Sequence, residues 1–329
     1  MVRPRVERPL RLLLFGDGAW AADALARLAQ GRHCVVGAIV REHPSDLTLA
    51  ETACALGVPV LRPHDVNDPG FVDSLRSLAP DLGLSIAYDQ IFHRPALDSA
   101  PLGFLNFHAG DLPCYRGRNV INWAIINGET AVGLTVHFVG EGIDSGDILL
   151  QRALPIGWTE TYGDVLRRVV EAMPSLVAEA VDLVADGSFV TKPQAGQLGT
   201  YFAGREEGDE WLDWSDSSYN LHNKVRGIGR PGPGARTLLG RQVVVVWRAF
   251  YDRSWPKYIA TPGQVVGRSP GAGALVKTGD STLLVQEAQV GGGESMAPCW
   301  RIGTRLGLNM AQSLQTMLER LERLEARCS

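Results

Sequence analysis

Residues 104–118, FLNFHAGDLPCYRGR, place an Asn and a His two positions apart at the end of an apolar run. Side chains alternate across a strand, so Asn106 and His108 share a face. A histidine exchanges protons near neutral pH. An asparagine amide can donate to an oxygen on which negative charge develops. Further along, VGEGIDSGDILLQ sets Asp144 in a glycine-punctuated loop between two apolar runs, where a carboxylate could tune such a histidine. No Ser or Cys stands as an obvious nucleophile. The set suits direct transfer of an acyl group to an external amine, with Asn106, His108 and Asp144 as the candidate catalytic residues.

These three need elements to carry them. LRLLLFGDG, CVVGAIV, PVLRP, DLGLSIA and GFLNFHA read as strands, with helical stretches such as AADALARLAQG and DPGFVDSLRSLAP between them. Strand–helix alternation of this kind predicts a doubly wound parallel sheet, with its site beyond the strand ends. VGLTVHFV and GDILLQRALPI read as further strands, and residues 161–187 as one long amphipathic helix. His137, inside VGLTVHFV, alternates like an ordinary sheet residue. After a Gly-rich stretch the character changes to short β-rich runs such as RQVVVVWRAFY and TLLVQEAQV, which predict a small barrel or sandwich. A final helix follows. The expected domains are 1–194, 195–300 and a helical extension at 301–329.

Composition narrows the classes. A formal net charge of -4 argues against a broad nucleic-acid footprint. Five widely spaced cysteines without a CxxC pair read as free thiols of a reducing compartment. No run approaches a membrane span, and the basic N-terminus leads into an apolar run too short for a signal core; the expected location is cytoplasmic. No His or Cys cluster has metal-ligand spacing, so no metal is expected. FGDGAW offers two glycines after the first strand, but Ala21 stands where a dinucleotide fingerprint needs its third.

The series NFHAGDLPCYRGRNVINWAIINGETAVGLTVHFVGEGIDSGDILLQ resembles the core signature of the folate-dependent formyltransferases: Asn-x-His, a Leu-Pro and Arg-Gly loop, Trp-Ala, Asn-Gly-Glu, Gly-x-Thr-x-His and Asp-x-Gly-x-Ile, in order. YFAGREEGDEWLDWSDSSYNLHNKVRGIGRPGPGA is similar to the stretch that opens that family's small C-terminal β domain. The resemblance implies a Rossmann-like catalytic domain followed by an OB-like barrel, with 10-formyltetrahydrofolate as formyl donor. It implies that Asn106 polarises the formyl carbonyl, that His108 takes the amine proton, and that Asp144 orients and tunes His108. It also implies a pterin against Ala87, Tyr88, Gln90 and Ile91, with Val139 and Gly142 from the loop before the aspartate, largely through backbone groups.

The acceptor divides that family. Its tRNA enzymes carry a long basic insertion after the second strand, where this chain reads only VREHPSDLTLAETACALG. The loop wording is most similar to the branch that formylates an amino deoxysugar on a nucleotide diphosphate, so a nucleotide sugar is the expected acceptor. Arg116 and Arg118 are the candidate phosphate contacts, with Trp20 as a candidate platform. A free amino acid such as ornithine is the first alternative, and methionyl-tRNA the next. A non-catalytic binder is disfavoured by the intact Asn106, His108 and Asp144. The last helix leaves a homodimer open.

Overall fold

The structure is a computed structural model that describes residues 6–44, 46–187, 189–307 and 310–328. It divides into two compact units: 1–124 with 129–158 and 164–204, and 125–128 with 159–163 and 205–329. The first unit thus runs to Gly204, past the expected limit at 194, because Tyr201–Phe202 pair with a strand of this unit.

In chain order the first part holds β1 (Arg11–Gly16), α1 (Gly18–Leu28), β2 (Cys34–Val40), α2 (Thr48–Ala55), β3 (Val60–Leu61), α3 (Pro69–Ser77), β4 (Leu82–Ile86) and α4 (Arg94–Leu97). β5 (Phe104–His108), β6 (Arg116–Gly117), α5 (Val120–Ile126), β7 (Ala131–Phe138), β8 (Ile148–Pro155), α6 (Tyr162–Asp186) and β9 (Tyr201–Phe202) follow. Seven strands form one sheet in the order β3-β2-β1-β4-β5-β7-β8. β1, β2, β3, β4 and β5 pair in parallel. Chain order reverses across β1 and β4, which opens a crevice at their C-terminal ends.

The leucine run of β1 is continuous because a central parallel strand is covered on both faces; Leu12, Leu13, Leu14 and Phe15 are all 0% exposed. α3 starts where Asp68 accepts from the Phe71 N–H, with Pro69 in the first turn. α6 turns Val165, Val169, Met173, Leu176, Ala180 and Val184 inward at three- and four-residue spacing. One edge of the sheet is antiparallel. β7 runs antiparallel to β5, and β8 antiparallel to β7. That edge sets His137 directly across from Asn106.

The second unit carries α7 (Ser218–Gly227), β10 (Ala235–Leu239), β11 (Gln242–Phe250), β12 (Val265–Ser269), β13 (Gly273–Lys277), β14 (Thr282–Val290), β15 (Ser295–Met296) and α8 (Met310–Cys328). Its strands follow the path β10-β11-β14-β13-β12, antiparallel throughout, with β15 on β14. Leu306 bridges Leu239 of β10, and Arg305 bridges Gln264 beside β12. One short segment therefore joins both edges of the sheet, as a small barrel requires. It lies beyond the expected end of the β domain at 300.

No helix among the described residues is long and apolar enough to cross a membrane. Cys34, Cys54, Cys114 and Cys299 are free and exposed; the Cys328 side chain lies outside the described residues.

Candidate active site

β5 delivers Asn106 and His108 to one face of the sheet end, and the turn after β7 brings Asp144 to them. The Asp144 carboxylate accepts from the Gly117 N–H at 2.8 Å and from Asn106 Nδ2 at 3.2 Å. His137 Nε2 lies 3.4 Å from Oδ1, and His108 Nδ1 lies 3.6 Å from Oδ2. His108 is thus beside Asp144 but beyond hydrogen-bond length, and its closest polar contact is elsewhere. Nε2 donates to the Tyr115 carbonyl at 2.6 Å. A carbonyl only accepts, so Nε2 carries a hydrogen, and in the neutral ring Nδ1 is left as the basic nitrogen facing Asp144.

His137, read from sequence as a sheet residue, belongs to this cluster. Its Nδ1 lies 2.9 Å from the Phe138 carbonyl, and its Nε2 lies 3.1 Å from Asn106 Nδ2. In the neutral ring Nε2 accepts from Asn106; in the protonated ring it donates to Asp144. The neutral form fixes which way the Asn106 amide faces, because only the NH2 end can meet a lone pair. Its signal was the register of β5 against β7, which pairs Asn106 with His137.

Burial shifts the titration of both key groups. The His108 pKa is lowered, by burial first, with Asp144 and the Tyr115 carbonyl opposing and His137 adding to the shift. The ring is kept neutral, as a base requires. For Asp144, burial opposes ionisation but is outweighed by the neighbouring imidazoles of His137 and His108, which can take up protons as the carboxyl titrates, and by the Gly117 N–H; together they hold the carboxyl at about 2.

The backbone here is unusual. Ala79, Ala87, Tyr115, Asn119 and Asp144 are the five non-glycine residues with positive φ among those described. Tyr115 and Asp144 touch the cluster directly, and Ala87 follows β4 at the sheet crevice. Such conformations persist where surrounding contacts over-determine them, and they gather at functional sites. Gly110 permits the His108–Tyr115 contact, since a Cβ there would meet the Tyr115 carbonyl at 2.4 Å and His108 Nε2 at 2.5 Å.

The other sequence-derived residues fall into place unevenly. The Ala87 carbonyl accepts from Arg41, and Arg41 also pairs with Asp17 at 3.2 Å. Tyr88 stacks on Phe92, and its hydroxyl is buried without a hydrogen-bond partner. Gln90 holds the 64–66 segment through the Val66 N–H and the His64 carbonyl. Ile91 is 57% exposed. Val139 packs against the core cluster around Phe15 and Phe104. Gly142 approaches Ser145, where a Cβ would meet Oγ at 2.5 Å.

Arg116 departs from the expected phosphate contact. It is 7% exposed, and its guanidinium donates to Gln194 Oε1 at 2.7 Å and to the Tyr201 hydroxyl at 3.2 Å. A buried guanidinium engaged in this way is a structural cation. Arg118 is exposed. Trp20, half-buried in the first turn of α1, is not brought into the Asn106–Asp144 cluster. Among the described residues no group of His, Cys, Asp or Glu is arranged to hold a metal ion.

Residues 10–181 match the formyl transferase family, and residues 206–299 match the formyl transferase C-terminal domain. The chain belongs to the formyltransferase family. It is a formyltransferase. A methionyl-tRNA formyltransferase of Pelobacter propionicus is 37% identical over 242 residues, 74% of each chain. One from Symbiobacterium thermophilum is 34% identical over 290 residues, 85% of this formyltransferase and 88% of that one. Among solved structures, the N-formyltransferase of Helicobacter canadensis in complex with folinic acid and dTDP-3-aminofucose has a TM-score of 0.64 at 16% identity, covering 84% of this chain and 99% of that one. At that identity the likeness is one of fold.

Proposed function

We propose that Asn106, His108 and Asp144, with His137, carry formyl transfer from 10-formyltetrahydrofolate to a primary amine. The observation that supports this reading most is the meeting of one amide, two imidazoles and one ionised carboxylate at the end of β5. The amine nitrogen bonds to the formyl carbon, and the carbonyl electrons move onto oxygen. An oxyanion beside Asn106 competes with His137 for the second amide N–H. The amine proton passes to His108 Nδ1, and the Asp144 carboxylate faces the imidazolium that forms. When the intermediate collapses, the donor nitrogen leaves and takes that proton back.

For the donor, we infer that a pterin lies against Ala87, Tyr88, Gln90 and Ile91, with Val139 and Gly142 across from them. The unmet Tyr88 hydroxyl fits this reading, since a buried polar atom without a partner is one that a bound polar group would satisfy.

Two acceptors rest on different observations. The relatives at 37% and 34% identity support the methionyl group of a charged tRNA, which makes it the first acceptor to test. They weigh more than the sugar enzymes, whose likeness is one of fold. The amine of a nucleotide-linked amino sugar keeps one observation in its favour. Among the described residues of the connection from β2 to α2, Arg41 is the one Lys or Arg, and its guanidinium is bound to the Ala87 carbonyl and Asp17 rather than held out for phosphates. The test offers 10-formyltetrahydrofolate with methionyl-tRNA, amino sugars on dTDP, UDP and GDP, and ornithine in parallel. Formylation of the tRNA supports the first reading, and formylation of one nucleotide sugar alone supports the second. No formylated product with any amine refutes the transfer reading.

A further inference from the structure

The segment after α6 carries a glutamine that neither the expected chemistry nor the catalytic set uses. Gln194 is 2% exposed. An antiparallel bridge between Lys192 and Ile148 sets its segment beside β8. Nε2 donates to the Asp144 carbonyl at 3.0 Å and to the Gly146 carbonyl at 2.6 Å. Oε1 accepts from Arg116 NH2 at 2.7 Å and from Nε at 3.3 Å. Both donor hydrogens and the carbonyl oxygen of the amide are therefore engaged.

The contacts form a closed circuit. Arg116 and Gly117 are the two residues of β6. Gly117 holds the Asp144 carboxylate through its N–H, while Arg116 holds Gln194, which holds the Asp144 carbonyl. Asp144 sits at φ +48, a left-handed conformation that persists where surrounding contacts hold it. Gly146 leaves the loop little room, because a Cβ there would meet the Phe138 carbonyl at 1.8 Å.

We propose that Gln194, backed by Arg116, is a positioning residue that holds Asp144 in its left-handed conformation and so keeps the carboxylate facing His108. This rests on the reading of Asp144 and His108 given above. Gln194 touches no reacting atom; it acts through the backbone of the residue that does. The chemistry requires an amide of this length. Asn is one methylene too short to reach both sides. Glu keeps the acceptor for Arg116 but sets oxygen against the Asp144 and Gly146 carbonyls.

The test needs no acceptor. Histidine rings are followed by NMR through a pH titration of the ligand-free full chain, with the His108 signal assigned from its loss in His108→Ala. The groups facing His108 are Asp144 and His137. Gln194→Ala and Gln194→Glu should each move the His108 titration to lower pH by about half a pH unit or more, because part of the opposing charge is withdrawn. Gln194→Glu should still fold, with a lowered thermal midpoint, since its link to Arg116 survives while the Asp144 and Gly146 carbonyls lose their donor. If Gln194→Ala fails to fold, the Glu variant alone decides. A His108 titration unchanged in the Gln194 variants, with Asp144→Asn moving it, overturns the role of Gln194 and leaves the site reading intact. A titration unmoved by Asp144→Asn overturns the site reading itself.

Discussion

Two buried polar clusters, one in each unit, are built to opposite standards. Around Lys277 the second unit joins buried polar groups at hydrogen-bond length. Nζ donates to the Thr278 carbonyl at 2.8 Å and to the Ser281 carbonyl at 3.1 Å, and lies 4.7 Å from the Tyr258 ring centre. Ser218 Oγ meets Thr278 Oγ1 at 2.7 Å, and the Ser218 N–H meets Asp280 at 2.8 Å. Around Asp144 the first unit leaves imidazole contacts of 3.4 and 3.6 Å and holds Tyr115 and Asp144 at positive φ. Positive φ in the second unit falls on glycines alone among the described residues. Polar burial by itself therefore says little about function. Loose contacts between titratable groups on strained backbone mark a place kept ready for another molecule.

The sharpest way to break this contrast is to remove one group from each cluster. His108→Ala should lower turnover at saturating substrate by at least ~100-fold, the usual loss for a general base. Lys277→Met should leave turnover per folded molecule within about twofold. A His108 variant with near-normal turnover would remove the site from the first unit. A Lys277 variant as inactive as His108→Ala, yet fully folded, would show that the second cluster also works on substrate.

Stability should respond in the other order. Lys277→Met strips the donor from the Thr278 carbonyl, at roughly 1–3 kcal/mol for a buried unmet group, while the Ser281 carbonyl keeps the Thr278 N–H at 3.1 Å. A net loss of about 2 kcal/mol in denaturant unfolding is expected. No loss would mean that the Thr278 carbonyl finds another donor and that the cluster is less closed than its distances indicate.

Acid should act on the site through Asp144. Its carboxyl titrates near 2 in the folded chain and at 3.8 when unperturbed. A depressed carboxylate contributes stability that is complete above 3.8 and is lost as pH falls toward 2, about 2 kcal/mol in all. His108 adds in the same direction, since a ring buried neutral also loses stability as pH falls below its unperturbed 6.5. Urea midpoints of the parent and Asp144→Asn should therefore converge as pH drops from 5 to 2.5. A gap that stays constant across that range would mean Asp144 is not held ionised by its neighbours.

How much of this was legible in the sequence follows from what each feature depends on. Asn106 and His108 were readable because strand alternation is local and puts both on one face. The alternation of strands and helices was readable for the same reason. His137 is the sheet residue its alternation indicates, but its contacts with Asn106 and Asp144 were not legible, because they depend on which strand lies beside β5, and the antiparallel insertion of β7 is a tertiary choice that periodicity does not report. Arg116 was misread because a cation next to a motif resembles a phosphate contact until its burial is known. Gln194 carried no signal at all, since it lies in an aperiodic stretch and acts through backbone carbonyls. The joining of the β10 and β12 edges by Arg305 and Leu306 was hidden likewise, in a segment assigned to the helical extension at 301–329.

The smallest effect tests the strain itself. Ala87 follows β4 at φ +54, with its carbonyl bound by Arg41. If that conformation is imposed by its surroundings, Ala87→Gly removes a cost of about 1–2 kcal/mol in the folded state. Glycine returns part of the gain through its freer unfolded chain, about 0.4–1 kcal/mol. The net should be a stabilisation of about 0.5 kcal/mol, visible as a rise in thermal midpoint of about 1–2 °C. Ala79, at φ +44 but outside the polar cluster, provides the matched control, and Ala79→Gly should give a similar gain. The two differ in what else they change. Loosening Ala87 also loosens the stretch proposed to hold the pterin, so donor KM should rise in Ala87→Gly and stay put in Ala79→Gly. Equal KM in both would mean that the strain at Ala87 is a by-product of the turn and contributes nothing to donor binding.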